Sequence, residues 1–140
     1  MLIKAVNKII IASALLLSVN CFAEDEVYAI PDELHAVFKE NGFKDVELEE
    51  SMIKGSSLVI IFSDFDLKHD RYLNAIRLVC SEVQKNNDLL KGYDIEEVIA
   101  QNLMESVQAT FKDASKNCLL MPKSDNTKFI DDHTVAARLK

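Results

Sequence analysis

Apolar and polar positions follow two rhythms along this chain, one near three and a half and one of two, and the switches between them predict its elements. In IPDELHAVFKENGF, Leu34, Val37 and Phe38 share one helical face, Pro31 suits a first turn, and Asp32 and Glu33 favour the positive end of a helix dipole. That pattern predicts a helix of about ten residues. Gly42 supplies a left-handed stop, and Phe43 is placed to fold back on the last turn.

The rhythm then becomes two. In DVELEE, Val46 and Leu48 alternate inward with Glu47 and Glu49 outward, which predicts a strand with one wet face. After a loop holding Lys54 and Gly55, SLVIIF is an unbroken apolar run rich in β-branched residues, the pattern of a strand covered on both faces. The two predict a hairpin whose second member is the centre of a sheet.

DLKHDRYLNAIRLVCSEVQKN returns to helical spacing, with Tyr72, Leu73, Ile76, Val79, Cys80 and Val83 on one stripe. Asp66 is placed to cap it, and Arg71 and Arg77 lie off the stripe. YDIEEVIAQNLMESVQATFKDASKNC supports two readings. As a helix over 94–114, Asp94 and Glu97 form a capping box and Ile95, Val98, Ile99, Leu103, Val107 and Phe111 one stripe. As a hairpin, Val98 and Ala100 alternate in one strand and Val107, Ala109 and Phe111 in the next, with Asn102 near the turn. The hairpin is adopted, because a two-stranded sheet alone is marginal. The tail after Pro122 is polar except for Phe129 and Ile130, and either docks as an edge element or stays loose.

Composition adds a compartment. The first 23 residues carry a basic start at Lys4 and Lys8, an apolar run from Ile9 to Leu17 and small residues at Cys21 and Ala23, the form of a secretory signal cleaved after Ala23. The run is shorter than the roughly 20 residues a membrane span needs. Ser18 and Asn20 stand where a lipoprotein signal carries a Leu-like and a tiny residue, so Cys21 is read as discarded rather than acylated. The remaining residues, 24–140, are enough for one domain. They hold 14 basic and 23 acidic residues, a formal charge of −9. That balance argues against nucleic acid and anionic lipid, and would suit a basic partner. No stable membrane insertion is expected after signal cleavage.

Cys80 and Cys118 then form an even pair in an oxidising compartment. Closing a loop of about 39 residues contributes roughly 3 to 4 kcal/mol on the chain-entropy model. The fold expected is therefore a small α+β domain, with two main helices on one face of a mostly antiparallel sheet. The disulfide should tie the main helix to the C-terminal segment.

Candidate chemistry is sparse. Gly42, Gly55 and Gly92 are the chain's three glycines, and a helix stop, a hairpin loop and a break before Asp94 account for them. None remains for a phosphate-cradling loop, and neither G-x-S-x-G nor H-E-x-x-H occurs. The densest polar cluster is SDFDLKHD, where Asp64, Asp66, His69 and Asp70 resemble half a calcium loop or a carboxylate–histidine pair. It lacks the loop glycine and the bidentate Glu of an EF-hand, and helix capping accounts for its aspartates. His35 lies beside Leu34, and His133 follows Asp131 and Asp132 as a solvated run. No catalytic residue, metal or cofactor is assigned.

Glu47, Glu49 and Glu50, with Asp64, Asp66 and Asp70, are the residues that could offer a negative face to a partner. The function expected is that of a periplasmic, non-enzymatic binding protein, such as an inhibitor or immunity protein acting on an envelope toxin or hydrolase. The alternatives are an accessory subunit of an envelope assembly for secretion or polysaccharide export, and a metal-dependent hydrolase built on Asp64, Asp66, His69 and Asp70.

Overall fold

The computed structural model describes residues 26–139. Residues 1–23, expected to be a signal segment, and with them Cys21, lie outside the described residues. The described chain runs β1 (Val27–Ala29), α1 (Asp32–Glu40), α2 (Asp45–Glu50), β2 (Met52–Lys54), β3 (Ser57–Phe62), α3 (His69–Lys85), a 3-10 turn at Lys91–Tyr93, β4 (Glu97–Asn102), β5 (Val107–Phe111), α4 (Ala114–Leu120), α5 (Thr127–Asp132) and β6 (Thr134–Arg138). The six strands form one sheet in sequence order, β1-β2-β3-β4-β5-β6. Each neighbouring pair is antiparallel except β3 and β4, which run parallel from Ser57↔Glu97 to Phe62↔Asn102 with α3 as their crossover. This is the expected α+β domain, with five helices instead of two.

α1 ends as its sequence predicts. Gly42 adopts φ 88°, the Phe43 N–H donates to the Phe38 carbonyl at 3.0 Å, and the two rings stack with centroids 4.5 Å apart. α3 buries Tyr72, Leu73, Ile76, Val79, Cys80 and Val83, the stripe read from its spacing. Cys80 is bonded to Cys118, joining α3 to α4. Residues 94–114 form the hairpin of β4 and β5, so the long-helix alternative is excluded. Val98, Ala100 and Asn102 point inward at every second position. The tail docks: Ile130 is buried, Arg77 binds Asn126 and Thr127 at 2.7 Å each, and β6 adds the last strand of the sheet beside β5.

Two expectations fail. DVELEE is the helix α2, in which Glu47 is buried and Val46 is exposed, and the strand paired with β3 is Met52–Lys54. The alternation was real but short, and a buried ionic partner for Glu47 decides the conformation. The α3 helix begins at His69, its N-cap position is Lys68 and no side chain caps it, so Asp64 and Asp66 do not. Asp64 is held instead by Arg71, one turn into the helix.

The main core lies on one face of the sheet. Leu58, Ile60 and Phe62 of β3, Val98 and Ala100 of β4, and Ala109 and Phe111 of β5 join residues from all five helices in a single core cluster. Val59, Ile61, Ile99 and Thr110 turn to the opposite face by strand alternation. Val59 and Ile61 are nevertheless only 8% and 5% exposed, so β3 is covered on both sides as its unbroken apolar run predicts.

Candidate interaction site at the carboxyl ends of the central strands

Residues 63–68 connect β3 to α3, and the first half of this loop is fastened at two points by buried polar groups. At its start, the Ser63 N–H donates to Glu47 Oε2 at 2.8 Å. Arg71 donates from Nη1 and Nη2 to the two Glu47 oxygens at 2.7 and 2.8 Å, and from Nη1 to Asp64 Oδ2 at 3.0 Å. The Lys44 N–H completes the set at 2.9 Å. The guanidinium also lies 4.6 Å from the Phe62 ring centroid and 5.4 Å from that of Phe43, a geometry suited to cation–π attraction. Burial alone would push the Glu47 carboxyl up, but Arg71 and the Lys44 and Ser63 N–H groups hold it down at about 2. Glu47 is therefore an anion at any ordinary pH.

Farther along the loop the fastening is Asn102, the last residue of β4 and fully buried. Its Nδ2 donates to the Phe65 carbonyl at 2.6 Å and to Ser106 Oγ at 2.7 Å, while its Oδ1 accepts from the Ser106 and Val107 N–H groups at 2.9 and 3.0 Å. One side chain thus ties the β3–α3 loop to the β4–β5 turn. Glu105 takes the left-handed conformation that this turn requires.

These fixed loops display apolar side chains outward. Phe65 is 82% exposed, Met104 70% and Leu103 46%. Scattered exposed apolar residues need no explanation, but these three stand on two loops coupled by one buried asparagine. The exposed carboxylates of Asp66, Asp70 and Glu105, with Lys68 among them, come from the same two loops and the start of α3.

The acidic residues read from the sequence divide accordingly. Asp66 and Asp70 are exposed, while Asp64 is half-buried and occupied by Arg71. Glu47 is committed to the interior and cannot meet a partner, whereas Glu49 and Glu50 are exposed on α2. His69 does not join these aspartates: its Nε2 lies 2.9 Å from Asp131 Oδ1 on α5. His133 turns its Nδ1 to the Phe129 carbonyl at 2.7 Å and packs on the Phe129 ring. Among the described residues, no three His, Cys, Asp or Glu side chains group to hold a metal ion.

Beside this surface lies a mostly apolar groove of about 240 Å³, walled by Leu67, His69 and Tyr72 on one side and floored by Ala109 and Ala136. Tyr72 shares a 2.6 Å hydrogen bond with the Thr134 hydroxyl, which in turn donates to the Ile130 carbonyl. Burial raises the Tyr72 phenol to about 12, with Asp131 adding to the rise and Thr134 opposing it.

In the sequence, the SDFDLKHD cluster stands out for its carboxylates, and Phe65 lies between two of them. An aromatic residue in a short loop flanked by aspartates was the available signal. Among the described residues, no helix is long and apolar enough to cross a membrane. No protein-family model, curated protein or solved structure matches the chain.

Proposed function

We propose that the protein works by binding another protein through Phe65, Leu103 and Met104. The observation that carries this reading is the exposure of Phe65 on a loop held by buried polar groups at its start, Ser63, and at the Phe65 carbonyl itself. Interface energy concentrates in aromatic anchors, and an anchor that is already ordered loses little entropy on docking. Asp66, Asp70 and Glu105 suit a partner whose apolar pocket is rimmed by Lys or Arg. In the periplasmic setting suggested by the signal-like first residues, such a protein is an inhibitor or immunity protein for an envelope enzyme or toxin. An accessory subunit of an envelope assembly is the second reading and would use the same surface.

The test is affinity capture from the cell envelope with the exported protein and its Phe65→Ala variant. A single stoichiometric enzyme or toxin favours the inhibitor, and a set of co-purifying subunits favours the accessory role. In either case Phe65→Ala should lower recovery at least about tenfold, the size of a hot-spot loss. Equal recovery by the two proteins would remove Phe65 from the interface.

A further inference from the structure

We infer that β6 is a self-pairing edge and that two copies of this chain join through it into one continuous sheet. β6 is the last strand of the sheet, with a neighbour on one side alone among the described residues. Its inner backbone groups are identified by two bonds: the Lys112 N–H donates to the His133 carbonyl, and the Leu139 N–H to the Ser106 carbonyl. Antiparallel ladders alternate, so residues 133, 135, 137 and 139 face β5, and Thr134, Ala136 and Arg138 present their N–H and C=O groups to the open side.

Protected edges carry charges, proline or bulges. This one reads TVAAR, with its single charge at the last position and an unbroken register to β5. Val135 is 60% exposed on it.

The strand is complementary to itself. A two-fold axis at Ala136 sets Ala136 against its equivalent, Thr134 against Arg138 and Val135 against Ala137. The outward-facing residues then bond each other, and like charges do not meet directly. Val135 gains an apolar neighbour on the open face. On the core face, directly opposed residues of an antiparallel pair point the same way, so the groove over Ala109 and Ala136 meets the groove of the second copy.

Charge supports the same register. Arg138 of one copy arrives beside Thr134 of the other, two residues beyond Asp132 and three beyond Asp131 at the end of α5, whose carboxylates also meet Lys128 and His69. Two such attractions, related by symmetry, oppose the mutual repulsion of two acidic chains. The inference is independent of Phe65 and whatever binds it.

Sedimentation equilibrium of the oxidised mature chain, run from low micromolar to several hundred micromolar in physiological salt, tests it. The expected result is a reversible monomer–dimer equilibrium. Ala136→Pro removes an outward N–H without touching the inner ladder, and should raise the dissociation constant by roughly 100-fold, for the two bonds lost per dimer. Arg138→Glu leaves the backbone intact and should also weaken the dimer. A chain that stays monomeric throughout would overturn the inference, as would a dimer indifferent to both substitutions. The first of those outcomes would leave the edge to a foreign strand.

Discussion

Glu47→Gln keeps the shape of its side chain but leaves Arg71 with one carboxylate, Asp64, in place of two. Breaking a buried pair from one side costs more than the pair contributes, so the variant should lose about 3 kcal/mol in a urea titration. The pH dependence has a fixed sign. A carboxyl held at about 2 when folded, against an ordinary value of 4.5, stabilises the fold fully above the unfolded value and loses that contribution as pH falls towards about 2. Stability of the native protein should therefore drop between about pH 4.5 and pH 2, and Glu47→Gln should flatten that slope. Glu47 was the acidic residue hardest to place from sequence, because its neighbours Val46 and Leu48 imitate a strand and its partner lies 24 positions away. Asp64 misled for the opposite reason: an aspartate just before a helix has an obvious local use, and the long-range use prevails.

Asn102 couples two elements, and Asn102→Ala tests that coupling. The Phe65 carbonyl and the Ser106 and Val107 N–H groups would lose their partner together, at a cost of about 2 kcal/mol. Amide exchange at Ser106 and Val107 should accelerate by more than that global loss explains, because the turn loosens before the sheet does. At this scale the sequence was legible where an element's own pattern decides it. α3 showed its stripe, α1 its glycine stop, and the β4–β5 hairpin its alternation. α2 was illegible because six residues are too few to distinguish the two periods. β6 was illegible because a short run of small residues has no apolar face to read. The apolar tip was half legible: its carboxylates were noticed, while the exposure of Phe65 depends on how two loops meet.

Among the described residues, the molecule is held by one core cluster and one covalent tie. Cys80→Ala with Cys118→Ala should lower unfolding stability by about 4 kcal/mol, measured in denaturant against the oxidised parent, for a loop of this length. The α+β class followed from alternating helical and strand signals, and the disulfide from the two cysteines left once Cys21 is set aside with the first 23 residues; neither signal revealed the parallel pairing of β3 and β4. That junction divides the sheet into two antiparallel halves, β1-β2-β3 and β4-β5-β6, each built between neighbours in sequence. They meet along a single seam whose residues are 40 positions apart, where Ser57 faces Glu97. Before the seam forms, each half presents a bare inner strand to water, and neither has a closed core. Closing it requires α3 to fold and return the chain, the costly non-local step in this topology. Either half alone is thus a fragment, and the native state is gained or lost at the seam.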